Sequence, residues 1–206
     1  MRLFLLALVL CFAAATQAQT LSSVSTRWSD SFVEWEIYAF LPQDTSQTDS
    51  LEVEGGEEED SEVAKEEFYG ELKLRWLNVR DDFSEWDYQL GDERGTIKQK
   101  WKDDIFQWEL RNYDGNVVTM RTSWPGDFTE WRVTDNSISL NLKSKWKNQF
   151  DEWLVEDSAR GNFYLYTYTI GDPRDWAIVD SLNEEVSQSM KMALIFLTVF
   201  CASPRQ

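Results

Sequence analysis

The feature that most constrains this chain is a recurrence of tryptophan. Trp28 and Trp35 lie seven residues apart, as do Trp101 and Trp108, Trp124 and Trp131, and Trp146 and Trp153. Trp76 and Trp86 lie ten apart, the same unit with three residues inserted. In four pairs a phenylalanine stands three residues before the second tryptophan: Phe32, Phe83, Phe128 and Phe150. Ile105 takes that place in the fifth, with Phe106 beside it. The last four units begin at 76, 101, 124 and 146, a period of 22 to 25 residues. Self-similarity at a fixed spacing is the signature of one supersecondary unit copied along the chain.

Each unit has the period of β-structure. Ile138, Leu140, Leu142 and Trp146 alternate with Ser139, Asn141, Lys143 and Lys145, a repeat of two. Val118, Met120 and Trp124 follow the same rule, as do Leu72, Leu74 and Trp76. After the connections, Trp108 and Leu110, Trp131 and Val133, and Trp153 and Val155 share a face. Asp114-Gly115-Asn116, Asp135-Asn136-Ser137 and Arg160-Gly161-Asn162 are turn-forming triplets that reverse the chain between units. The strands predicted are 23–28, 33–41, 68–76, 84–90, 95–101, 106–112, 117–124, 129–134, 138–146, 152–157, 162–170 and 175–180. Twelve strands in one antiparallel meander must curl or close, because an open sheet of that size leaves two reactive edges.

The ends of the chain differ from this pattern. Met1-Arg2, the apolar run Leu3 to Ala15 and the small residues Thr16-Gln17-Ala18 predict a signal peptide cleaved after Ala18. Between Asp49 and Glu67 ten residues are acidic and only Lys65 is basic, which predicts a disordered acidic insert over 42–67. At the other end Ser181 and Glu184 form a capping-box pattern, predicting a helix over 183–201. From Met190 to Cys201 only Lys191 and Thr198 are polar, so this helix is apolar all round and must be enclosed. Its dozen apolar residues are too few to span a bilayer. A closed barrel of twelve strands has an interior too wide for side chains alone to fill. A closed antiparallel meander barrel enclosing a hydrophobic C-terminal α-helix answers both demands, and residues 19–206 are read as that single domain.

The Trp-bracketed hairpins, the turn Tyr113-Asp114-Gly115-Asn116 and the final apolar helix resemble the LURP-one-related proteins. That family belongs with the tubby C-terminal domain and the phospholipid scramblases. Ile97 to Trp108, Leu142 to Asp157 and Met190 to Phe200 carry the resemblance, which implies a twelve-stranded barrel threaded by its C-terminal helix. Tubby-like phosphoinositide binding uses basic residues for which this chain has no matching cluster, so no functional residue is carried over.

Charge and composition exclude more than they assign. The formal net charge of −17 argues against nucleic acid and against adsorption to anionic lipid. Histidine is absent, which removes imidazole bases and imidazole metal ligands. A calcium site among Glu57, Glu58, Glu59 and Asp60 lacks the spaced ligands such a loop needs. Asp172 and Asp175, in Asp172-Pro173-Arg174-Asp175, offer a carboxylate pair for a hydrolase, but the same residues suit a turn. Cys201 is expected to be a small core residue.

The eleven tryptophans suggest sugar stacking, but the ten paired ones fall in phase with core aliphatics and are expected to pack inside. Trp176 lies outside the repeat. Arg27, Arg75, Lys98, Lys100, Lys143, Lys145 and Lys147 suggest an anion-binding stripe. Cross-strand pairing is preferred: Arg27 with Glu36, Arg75 with Asp87, Lys100 with Glu109 and Lys143 with Glu156. The expectation is a secreted or periplasmic, monomeric, non-enzymatic domain with a binding or structural role in the envelope or extracellular space and an unknown ligand or protein partner. No catalytic, cofactor-binding or metal residue is assigned. The alternative is a membrane-associated lipid handler.

Overall fold

Alternation of apolar and polar side chains produces twelve strands. They are β1 (Leu21–Trp28), β2 (Ser31–Phe40), β3 (Glu66–Leu74), β4 (Glu85–Leu90), β5 (Glu93–Gln99) and β6 (Gln107–Asn112). They continue with β7 (Val117–Thr122), β8 (Glu130–Thr134), β9 (Ser139–Trp146), β10 (Gln149–Asp157), β11 (Gly161–Thr169) and β12 (Asp172–Asp180). The structure is a computed structural model and describes residues 19–41, 65–79 and 82–204. Residues 1–18, expected to be a signal peptide, and acidic residues 42–64, expected to be disordered, lie outside the described residues. Glu66 and Glu67, expected in the insert, instead open β3 and pair with Phe40 and Ala39.

Each strand runs antiparallel to its sequence neighbours, and β1 pairs with β12 to close the barrel. Closure removes both sheet edges. The inward positions carry Ile37, Leu72, Leu90, Ile97, Leu110, Val133, Leu142 and Leu165, all fully buried. The outward positions carry Glu36, Lys73, Asp87, Glu109 and Arg132. A barrel that crosses a bilayer turns an apolar band outward; here the two faces are reversed.

The helix α1 (Gln188–Ala202) occupies the interior, with every residue from Ser189 to Phe200 buried. Phe196 packs edge-on against Trp86 and Trp108, with ring centroids 5.9 and 4.9 Å apart, and Phe200 reaches Trp108 at 4.7 Å. Burying each such large apolar side chain contributes about 1.5–3 kcal/mol, which is why an apolar helix settles in the lumen.

The helix begins at Gln188, not 183. Ser187 caps it, its hydroxyl accepting from the Met190 amide at 3.2 Å. The expected Ser181–Glu184 capping box does not start the helix, because backbone bonds that continue the β11–β12 pairing past Asp180 hold Ser181 and Asn183 in extended chain. Ser181 N–H donates to Asn162 C=O and Asn183 N–H to Arg160 C=O, both at 2.9 Å. Gly161, at φ +95°, permits this approach, since a Cβ there would sit 2.1 Å from the Ser181 oxygen.

Polar contacts fix the first helical turns. Lys191 Nζ lies 2.6 Å from Asp180 Oδ2, with side chains 5% and 1% exposed. Ser189 Oγ donates to Glu93 Oε1 at 2.7 Å, and Tyr88 Oη donates to the same oxygen at 2.9 Å. Asn112 Nδ2 donates to Glu93 Oε2 at 3.1 Å. Burial, first of all, raises the Tyr88 pKa far above the ordinary phenol range, so that hydroxyl remains a donor.

Candidate functional site

In a meander, alternate connections gather at opposite ends. One end collects the hairpins β1–β2, β3–β4, β5–β6, β7–β8, β9–β10 and β11–β12, so it holds every Trp-bracketed turn. There the local chemistry repeats. The second tryptophan of each pair points inward, and its indole N–H donates to the carbonyl three residues earlier. Trp35 donates to Phe32, Trp86 to Phe83 and Trp108 to Ile105, each at 3.0 Å, and Trp131 to Phe128 and Trp153 to Phe150 at 2.9 Å. A buried indole needs a partner for its N–H, and the carbonyl leaving the hairpin supplies one.

Trp176 makes the same bond to the Pro173 carbonyl at 2.8 Å and is fully buried. It is therefore the second tryptophan of a sixth copy, not a residue outside the repeat. Asp172-Pro173-Arg174-Asp175-Trp176 aligns with Asp82-Phe83-Ser84-Glu85-Trp86 and Asp127-Phe128-Thr129-Glu130-Trp131. Asp82, Asp127 and Asp172 each accept from the backbone N–H two residues on. The candidate acid–base pair is thus one instance of a structural turn. Hydrogen bonds from Arg174 hold the Asp172 carboxyl below the usual carboxylate range, opposite to what a general acid requires.

The first tryptophans are not core. Trp28, Trp76, Trp101, Trp124 and Trp146 are 44% to 65% exposed, which overturns half of the expected interior ring. The reason is local. Alternation carried from Leu72 and Leu74, or from Val118 and Met120, holds only while the strand lasts. β3 ends at Leu74 and β7 at Thr122. In β1 and beside β9, register shifts between Thr26 and Trp28 and between Gln149 and Trp153 break the parity before the tryptophan is reached.

Carboxylates pin the edges of three exposed indoles. Trp28 donates to Glu34 at 3.0 Å, Trp76 to Glu85 at 3.3 Å and Trp146 to Glu152 at 2.9 Å. Each glutamate directly precedes an inward tryptophan, so one dipeptide fixes both rings. Leu77, Val79, Tyr168 and Ile170 are also exposed at this rim.

The basic residues are partly paired as expected. Arg27 lies 3.8 Å from Glu36 and from Glu34, and Arg75 is bonded to Asp87 and Glu85. Lys143 instead meets Glu130 of β8 at 3.6 Å, and it is Lys98, not Lys100, that stands opposite Glu109. The same bulges and strand ends that turn the tryptophans outward displace these two pairs.

One part of the rim is concave. A groove of about 520 Å³ runs from Trp146 and Ile170 down the outer face over β10, β11 and β12, lined further by Asp151, Glu152, Tyr164 and Tyr166. Glu152 is its hub. It accepts from Lys145 Nζ at 2.6 Å, from the Trp146 indole and from the Tyr164 hydroxyl. These bonds, Lys145 first, pull its carboxyl down to about 2. Burial, then the Glu152 bond, raises the Tyr164 hydroxyl. The Tyr164 and Tyr166 rings lie 5.2 Å apart. The site therefore presents aromatic faces and a fixed anion, an arrangement suited to binding.

Sequence reasoning missed these residues, although signals were present. The outward tryptophans of four pairs directly follow a basic residue, Arg27, Arg75, Lys100 or Lys145, and the inward ones follow Glu or Gln. Cys201 lies in the last helical turn, half-buried against the core. Among the described residues no three Asp, Glu or Cys side chains are gathered to hold a metal ion, and no helix is long and apolar enough to cross a membrane. Comparison with family models, with curated proteins and with solved structures finds no match for this chain.

Proposed function

We propose that this chain is an exported, monomeric, non-enzymatic binding domain of LURP-one/tubby-like architecture, and that its working surface is the indole-bearing rim. The observation that carries this reading is the gathering of five exposed tryptophans at one end of the barrel. Soluble proteins seldom leave large apolar groups clustered in the open without a partner. A tryptophan edge-pinned by a carboxylate also loses little freedom on binding, which favours affinity. The test is retention of the purified chain on cell-envelope and extracellular-polymer preparations. The native chain is expected to be retained. A variant with Trp28, Trp76, Trp101, Trp124 and Trp146 all changed to alanine is expected to fold and to be washed off. Equal retention of the two would refute the assignment.

A second reading is supported by Leu77, Val79 and Ile170, exposed beside the indoles. A rim of tryptophan and small aliphatics suits the headgroup level of a bilayer, and the net charge of −17 would select uncharged lipid surfaces. Flotation with phosphatidylcholine vesicles tests it: co-flotation that depends on the five tryptophans would favour lipid handling.

A further inference from the structure

We infer that the groove beside Trp146 binds a neutral oligosaccharide, an inference that rests on the rim being a binding surface and names its ligand class. Three observations converge. First, Trp146, Tyr164 and Tyr166 bring aromatic rings to one groove. The negative faces of such rings attract polarised C–H groups, and a pyranose with equatorial hydroxyls presents its C–H bonds on two flat faces. Second, polar groups lie beside the rings. Gln149 and Asp151 line the same groove, and Glu152, fixed in its ionised form by Lys145, Tyr164 and Trp146, retains acceptor capacity. Sugar hydroxyls need such acceptors at the margin of an aromatic platform. Third, the size fits. About 520 Å³ lies within the range of small-ligand sites and suits a short oligosaccharide better than a single ring.

Charge decides which sugars. Asp151 and Glu152 stand on the groove wall of a chain with net charge −17, so uronic-acid and sulfated chains are repelled. A free organic cation is disfavoured because Lys145 Nζ already lies 5.3 Å from the Trp146 ring and 5.7 Å from the Tyr164 ring. A neutral glycan is subject to neither charge repulsion.

The experiment titrates the purified chain with neutral gluco-, xylo- and manno-oligosaccharides, followed by calorimetry, with a sulfated glycan and phosphatidylcholine vesicles as separate arms. At least one neutral series is expected to bind. Trp146→Ala should weaken it about tenfold, and Tyr166→Ala should weaken it measurably. Tyr113→Ala, exposed in the β6–β7 turn at the other end of the barrel, should leave this affinity unchanged. Near-ultraviolet circular dichroism confirms that each variant is folded. Three results would overturn the inference: failure of every neutral series, tighter binding of the sulfated glycan, or an affinity indifferent to Trp146. If the neutral series fail while envelope retention still needs the five tryptophans, the glycan assignment falls and the binding rim stands. If retention does not need them, both fall.

Discussion

The two ends of the barrel are built from the same strands, yet they present opposite chemistry. At the end where α1 begins, the connections expose Asp92, Asp114, Glu184 and Glu185. Leu41 and Lys65, which flank the acidic segment, join there through a 3.0 Å backbone bond. Buried polar contacts, Lys191 with Asp180 and Ser189 with Glu93, seat the helix at that end. At the other end the helix finishes near Phe32 and Phe83, and the turns carry exposed tryptophans. The difference teaches that the repeat has two products. Each copy supplies one ring to the lumen, where it holds the helix, and in five copies a second ring to the surface. In the sixth, Thr169 stands where the surface tryptophan would be.

The largest expected effects break the comparison between inner and outer rings. Trp108→Ala opens a cavity against Phe196 and Phe200 and should lower unfolding free energy by about 3–5 kcal/mol. Trp101→Ala, at the surface of the same unit, should change it by no more than about 0.5 kcal/mol. Urea denaturation of both variants decides, and equal losses would erase the distinction. At the polar end, Lys191→Ala strands a buried carboxylate and should lose about 3–5 kcal/mol. Replacing the pair with Lys191→Met and Asp180→Leu should recover much of that, which sharpens the view that the pair fixes how the helix is seated. Ser187→Ala should remove about 1 kcal/mol, against almost nothing for Ser181→Ala.

The smallest effect is one of pH. The Glu152 carboxyl lies at about 2 when folded, against its ordinary 4.5. A group depressed in this way stabilises the fold above its unfolded value and loses that contribution as pH falls to the folded one. The stability difference between the native chain and Glu152→Gln should therefore be present at neutral pH. It should close between about pH 4.5 and 2, and remain modest because the pair sits at the surface. Chemical denaturation at several pH values measures it.

The fold was legible because its signals are redundant. All twelve strands follow from period-two alternation and turn triplets, and the lumen position of the helix follows from an apolar surface with no polar stripe. The rim was not legible for a definite reason. Parity predicts a side chain's face only inside an unbroken ladder, and each first tryptophan sits where the ladder ends or bulges. The helix start was misplaced because a capping pattern competes with strand pairing, and at Ser181 the pairing prevails. The sixth copy was hidden because Pro173 replaces Phe or Ile and Thr169 replaces Trp.

Acrylamide quenching of tryptophan fluorescence tests the division of the indoles most directly. The native chain should contain a readily quenched population and a protected one. Changing Trp28, Trp76, Trp101, Trp124 and Trp146 to phenylalanine should remove the quenched population and leave the protected six. Persistence of ready quenching in that folded variant would contradict the account.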